Sequence, residues 1–431
     1  MNQLQLFLPC AAGVEDYLAQ EVARITGQPA QQVHRQRGGV AVNAAWRDAM
    51  LLNLHSRLAQ RVLVQLFHAQ YRNEQDLYRA ASDVAWEIWF TPRQSIKVEV
   101  TAQHSPLTSL NFAALKIKDA VCDRFRAKAA GVRPDVDTQW PDIRIYAHLT
   151  TDTVSLYIDT SGEALFKRGW REDKGEAPLK ETLAAALIAA SGWADNPQQP
   201  LYDPCCGSGT IAIEAAQIAC NIAPGSLRHF AFEKMLPFQP QVWDAILAEA
   251  QRAQRAGDAG DRPLIFGSDV AHRMVDFAQR NARRAGVADV IEFRGGDALQ
   301  RMPPSETPGV MLVNPPYGER IDAAGVAGVG AARPRHGTPA VGAGGAATGG
   351  REQAQTPDGG EFFVQLAAHW KKNYAGWTAW VLTPDLKLPG KMRLKESRRV
   401  PMWNGPIECR LFRFDMVKGS ARADTPAQPA P

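Results

Sequence analysis

Leu201-Tyr202-Asp203-Pro204-Cys205-Cys206-Gly207-Ser208-Gly209-Thr210 reads as a short apolar strand, an acidic turn and a glycine-x-glycine loop, and the helical run 211–219 follows directly. Two glycines one residue apart let the backbone pass close to a ligand with no Cβ in the way. The first N–H groups of the next helix are open donors, suited to a carboxylate or phosphate. Asp203, at the carboxyl end of the strand, is a candidate partner for an ammonium or a hydroxyl. The Gly-Lys-Ser/Thr ending of a Walker loop is missing. A tight strand-to-helix connection would also use such a turn, so the stretch has to be read with its surroundings.

Downstream, strands expected at 264–269, 290–294 and 310–313 alternate with helices at 242–253 and 270–285. That alternation builds a parallel sheet with helices on both faces. A helix at 362–373, a strand at 378–382 and a hairpin (400–403 and 407–414 around Asn404-Gly405) complete the unit. Upstream, Leu4, Leu6 and Leu8 alternate as a half-buried strand, and Val14, Leu18, Val22 and Ile25 share one helical face. Strands at 95–101, 143–149 and 154–159, with a helix near 112–130 carrying Ile117, Val121 and Phe125, give a compact α+β unit. The expected domains are therefore 1–160, a linker 161–180 and an α/β domain 181–416. Residues 323–360 form a Gly/Ala/Pro-rich low-complexity insertion, and 417–431 a polar tail expected to be disordered.

The chain has 431 residues, 45% of them hydrophobic, and 49 Lys and Arg against 45 Asp and Glu leave a formal charge of +4. Nucleic-acid binding would therefore rest on local patches rather than on bulk charge. No apolar run reaches the ~20 residues of a membrane span, and the start lacks the layout of a secretory signal. Six cysteines without a C-x-x-C pair argue against a zinc ribbon or a disulfide scaffold. A cytoplasmic protein without a metal is expected.

Three further stations carry chemistry. Asp269 ends an expected strand, where an acid bonds ribose hydroxyls in nucleotide-binding sheets; as an acid before a helix it could equally be an N-cap. Its distance from the glycine loop requires residues 221–262 to be an insertion. Asp297 follows another strand and could accept from an adenine amino group, or be an ordinary loop acid. Asn314-Pro315-Pro316-Tyr317-Gly318 follows the apolar run 310–313. Two prolines stiffen the backbone and leave carbonyls free to face a ligand, and Tyr317 offers a ring for stacking on a base. The Asn314 side-chain oxygen and the Pro315 carbonyl could take the N–H groups of an exocyclic amine. Its lone pair would then be localised for in-line attack on an electrophilic methyl, with no covalent enzyme intermediate.

Taken together, Asp203-Pro-Cys-Cys-Gly-Ser-Gly, Asp269, Asp297 and Asn314-Pro-Pro-Tyr resemble the motif series of class I S-adenosylmethionine-dependent amino-methyltransferases. The connector Gly175-Glu-Ala-Pro-Leu-Lys-Glu181 and the string Asn314–Arg320 resemble the branch with an N-terminal THUMP RNA-binding domain. Within that branch the chain resembles the bacterial 23S rRNA guanine-N2-methyltransferases, in the form of the N-terminal half of an enzyme that some bacteria fuse to a second methyltransferase. The resemblance implies a Rossmann-like class I methyltransferase domain behind a ferredoxin-like/THUMP domain. It implies transfer of a methyl group from S-adenosylmethionine to guanine N2 in 23S rRNA or a large-subunit assembly particle. With no room for the second methyltransferase, only that activity is expected.

By the same resemblance, Asp203, Cys206, Gly207, Gly209 and Thr210 line the cofactor's methionine end, and Lys180 and Glu181 cover it. Asp269 takes the ribose, Asp297 the adenine, and Asn314, Pro315, Pro316 and Tyr317 the target base. Lys116, Arg124, Lys128, Lys167, Arg168 and Arg171 are candidate RNA phosphate contacts, although each could equally belong to a solvated helix face or an ordinary linker. Trp170 could stack on a base or pack between domains. Two rival functions stand beside this one: a DNA or RNA adenine-N6-methyltransferase, since the same tetrad grips either amine, and a non-catalytic RNA-binding assembly factor. The oligomeric state is left open.

Overall fold

A computed structural model describes residues 3–175, 179–255, 265–315 and 359–417. Its N-terminal part contains β1 (Leu4–Pro9), α1 (Glu15–Thr26), β2 (Val33–Gln36), β3 (Gly39–Ala44), α2 (Trp46–His55), β4 (Leu63–Gln70), α3 (Glu74–Asp83), β5 (Ile96–Ala102), α4 (Leu110–Lys128), β6 (Ile143–Leu149) and β7 (Thr153–Asp159). The strands form one sheet in the order β2-β3-β1-β4-β7-β6-β5. Among these strands only β5 and β6 pair in parallel, and α4 supplies the long crossover that such a pair needs. Alternation along β1 buries Leu6 and Leu8. On α4, Ile117, Val121 and Phe125 are fully covered, and each stabilises the fold by roughly 1.5–3 kcal/mol.

The second part contains α5 (Glu181–Ser191), β8 (Leu201–Asp203), α6 (Thr210–Ala219), α7 (Pro240–Arg252), β9 (Ile265–Asp269), α8 (His272–Arg284), β10 (Ile291–Gly295), β11 (Val310–Val313), α9 (Gly359–Asn373), β12 (Thr378–Thr383), α10 (Leu388–Met392), β13 (Arg398–Asn404) and β14 (Ile407–Asp415). Its sheet order is β10-β9-β8-β11-β12-β14-β13; β14 runs antiparallel to both of its neighbours, β12 and β13. All four residues of β11 are buried, the unbroken apolar run that a central parallel strand requires. Strand order reverses between β8 and β11, and in open α/β sheets that crevice, outside the carboxyl ends of the strands, holds the ligand. The hairpin turn is Gly405-Pro406 rather than the expected Asn404-Gly405: Asn404 already pairs with Ile407, and Gly405 takes the positive φ of +63°.

Residues 221–255, the insertion expected before Asp269, attach the second part to the first. Gly225 N donates to Leu54 O, Phe232 N to Thr160 O and Leu236 N to Trp89 O, and Lys234 pairs with Asp142. Trp243 of α7 packs edge-on against Phe230 and Phe232. One buried apolar cluster consequently runs from Leu6 and Leu8 through Trp170 and Ile213 to Phe232 and Trp243. Among the described residues, no helix is long and apolar enough to cross a membrane, and no group of three or more His, Cys, Asp or Glu is arranged to hold a metal ion.

Candidate active site

Parallel pairing puts Asp203 opposite Gly267 and Asp269 opposite Gly295, so the acids at the ends of β8 and β9, and Asp297 just past β10, share one edge of the sheet. Asp203 is 2% exposed. Its Oδ1 accepts Cys205 N at 3.1 Å, and its other oxygen has no donor among the described residues. Burial, reinforced by the charge of Asp269, pushes its pKa up to about 8 although the Cys205 N–H pulls the other way. Asp269 accepts Ala271 N (2.9 Å) through Oδ1 and Gly207 N (3.0 Å) through Oδ2. It thus leads the chain into α8 without being the N-cap residue, which is Ala271, and braces the glycine loop as well. Burial raises its pKa too. Asp297 Oδ1 accepts Leu299 N at 2.9 Å.

In the loop itself Gly207 and Gly209 have φ of +53° and +87°. A Cβ on Gly209 would lie 2.9 Å from the Ala278 Cβ, whereas one on Gly207 would meet nothing within 4 Å. The loop is therefore packed on its helix side and open on the other. Burial and the neighbouring Asp203 hold the Cys205 and Cys206 thiols well above their ordinary pKa, which leaves both uncharged. Asn314 and Pro315 follow β11 at the same sheet edge, Asn314 half-buried and Pro315 buried. Pro316, Tyr317, the residues 323–358 of the low-complexity insertion and the tail from 418 lie outside the described residues.

The remaining candidates divide sharply. Arg168, expected to face RNA, is 1% exposed. Its guanidinium bonds Glu214 Oε1 (3.0 Å) and Oε2 (3.4 Å), Leu165 O and Arg57 O. Arg171 is also turned inward, onto Glu181, Ser208, Thr210 and Leu179. Both expectations are corrected, because each guanidinium is turned into the protein and makes four hydrogen bonds to protein acceptors. Arg124 is largely occupied too, with Nε and Nη2 on Glu87 and Nη1 on Ser82 O. Lys128 is exposed, Lys116 lies over the Phe112 ring and Lys167 pairs with Glu163 in solvent, so these three remain on the surface. Trp170 is fully buried, within the apolar cluster common to both parts. Lys180 is exposed with its ammonium over Phe166, and Glu181 is buried against Arg171.

Two residues escape the sequence reading. Asn281 Nδ2 donates to both Asp173 O (2.9 Å) and Ser208 O (3.1 Å), tying α8 to the glycine loop. An amide on the stripe of α8 that buries Val275, Ala278 and Ala282 is the signal that marks it. Trp140, 74% exposed on the N-terminal part, carries no sequence signal that separates it from a core tryptophan.

Comparison with known proteins agrees with this architecture. A family model described as "RMKL-like, methyltransferase domain" matches residues 168–327, "THUMP domain" matches 71–159, and "RlmL ferredoxin-like domain" matches 5–63. The N-terminal part is thus two family units within one sheet. Proteins named ribosomal RNA large subunit methyltransferase K/L are 35% identical in Shewanella amazonensis over 97% of this chain and 54% of that relative, and 35% identical in Psychromonas ingrahamii over 95% and 50%. The chain spans about half the length of these curated relatives. Among solved structures, SMU.472 in complex with SAH superposes with a TM-score of 0.79 at 25% identity, covering 97% of this chain and 100% of that one. A protein described as a predicted N6-adenine-specific DNA methylase from Listeria monocytogenes gives 0.78 at 28% identity, covering 96% of each.

Proposed function

We propose that this chain, a THUMP-domain methyltransferase of the class I fold, transfers a methyl group from S-adenosylmethionine to the exocyclic N2 of a guanosine in 23S rRNA. One observation carries the reading: Asp203, Asp269, Asp297 and Asn314 converge on the carboxyl edge of the sheet, around the β8–β11 switch point. The residues present fit the cofactor. Asp203 offers an ammonium a buried oxygen that has no donor among the described residues, and Gly207 leaves open space where any side chain would stand. In this reading Asp269 would take the ribose hydroxyls and Asp297 the adenine amino group. When bound, S-adenosylmethionine supplies a methyl carbon activated by the positive sulfur.

The chain's own residues then act by position and hydrogen bonding. The Asn314 side-chain oxygen and the Pro315 carbonyl accept the two N–H groups of the guanine amine, turning its lone pair toward the methyl group. By the resemblance, Pro316, whose ring fixes its own φ, and Tyr317, whose ring can stack on a base, complete the tetrad. Catalysis is orientation and electrostatic stabilisation, and the nitrogen sheds its proton to solvent. The uncharged Cys205 and Cys206 take no covalent part. Residues 1–160 form the RNA-binding region, with Lys116 and Lys128 as phosphate contacts joined by Lys167 of the linker, and 181–416 the catalytic domain. Ribosomal RNA or an assembly particle as substrate makes the cytoplasm the place of work.

The rival reading, methylation of adenine N6, draws on the same tetrad and on the likeness to the Listeria structure and its DNA-methylase description; the THUMP match and the rRNA-directed relatives favour RNA. Incubation with radiolabelled cofactor on 23S rRNA and on duplex DNA decides between them. Label in N2-methylguanosine of the rRNA is expected, and label confined to DNA adenine overturns the proposal. A binding factor without catalytic activity would leave both substrates unlabelled.

A further inference from the structure

The segment 165–175, a linker by composition, lies as a strap across α6 and α8. Arg284 Nε donates to Trp170 O, Asp173 pairs with Arg280 and Arg284, and Asn281 donates to Asp173 O. Arg168 fastens the strap to Glu214, in the second turn of α6. Between these anchors sits Arg171, with its Nε 2.7 Å from Glu181 Oε1, Nη1 3.2 Å from Ser208 Oγ, and Nη2 2.7 Å from Thr210 Oγ1 and 3.1 Å from Leu179 O. Its guanidinium also lies over the Trp170 ring.

The partners of Arg171 say what it does. Ser208 stands between Gly207 and Gly209, both in the left-handed region, where no side chain restrains the backbone. The loop is held by Asp269 on Gly207 N, by Asn281 on Ser208 O and by Arg171 on the Ser208 and Thr210 hydroxyls. Of these three braces, Arg171 alone comes from outside the sheet-and-helix unit that bears the loop. Leu179, just before α5, and Glu181, its first residue, are also on Arg171, so one guanidinium fixes the loop relative to the start of that helix.

We infer that Arg171 is a positioning residue for the cofactor: it holds Gly207-Ser208-Gly209 and the first turn of α6 in the conformation that receives the ligand's amino-acid end, and it makes no contact with RNA. The inference rests on the proposed function, since it concerns the same pocket. Removing Arg171 alone would strand the buried Glu181 carboxylate and threaten folding, so the double variant R171A/E181Q is measured beside R171K. For each, S-adenosylhomocysteine binding is read by calorimetry, 23S rRNA fragment binding by filter retention, and turnover as separate kcat and KM for the methyl donor. Loss of charge-assisted bonds to a loop is expected to weaken ligand affinity by about tenfold or more in R171A/E181Q. R171K, which keeps the charge but not the fork, falls between, and RNA affinity stays within about twofold. The donor's KM rises more than kcat falls. Ligand affinity unchanged in the double variant overturns the inference, as does a fall in RNA affinity with ligand affinity intact. Failure of the wild-type protein to bind the ligand is a different result, which overturns the proposed function and this inference with it.

Discussion

Asp203 offers the sharpest test of the pocket, because its environment and its task oppose each other. Without ligand the carboxyl stays protonated up to about pH 8, whereas an ammonium needs it ionised. At pH 7, one unit below that value, about ten carboxyls in eleven are protonated, so binding must expel roughly nine-tenths of a proton and is about tenfold weaker than at full ionisation. The perturbation is Asp203→Asn, which has nothing to ionise. The assay is titration calorimetry with S-adenosylhomocysteine at pH 7 in buffers of different protonation enthalpy, repeated from pH 6 to pH 9. The ratio of wild-type to variant affinity cancels the ligand's own ionisation. It is expected to climb about tenfold per pH unit below 8 and to level off above it. The same sign governs stability. A folded-state pKa raised above the unfolded value of an aspartate gives stability that is full below that unfolded value and is lost as pH rises through about 8. Asp203→Asn should therefore raise the unfolding temperature of the ligand-free protein at pH 9 and not at pH 4. A flat affinity ratio, or proton release equal in the two proteins, refutes the reasoning.

Other outcomes follow from the same geometry. Asn314→Ala should lower turnover by about a hundredfold or more while RNA retention on a filter is preserved. Gly209→Ala forces φ of +87° on a residue whose Cβ would lie 2.9 Å from Ala278; denaturant unfolding should show a loss of about 1–3 kcal/mol. Glu214→Ala leaves the Arg57 and Arg168 guanidinia buried without their shared acid, and a loss of about 3–5 kcal/mol should appear in the same unfolding assay. Mass spectrometry after brief alkylation of the native protein at neutral pH should find Cys205 and Cys206 unmodified, as their raised pKa leaves little thiolate.

The parallel sheet is legible in the sequence because its signals are local. Val310–Val313 is an uninterrupted apolar run, the glycine loop follows Leu201–Asp203 at once, and Asp269 sits at the end of its strand. Strands β2, β3 and β4 are not legible, since they are specified by pairing with distant partners, as in Leu6 opposite Val42 and Val64. Nor can sequence separate Arg168 from a solvated arginine: its acid, Glu214, lies 46 residues away on another element. The interval before Asp269 is recognisable as an insertion, but its attachment to Leu54, Trp89 and Thr160 exists only in three dimensions.

Under the proposed function, that attachment bears on substrate choice. Backbone hydrogen bonds and a shared apolar interior join the two parts, so in that reading the fold sets the span from the RNA-binding surface to the cofactor crevice. A tool of fixed gauge selects the nucleotide that happens to stand at the right distance from its handhold. The surrounding bases can then go unread.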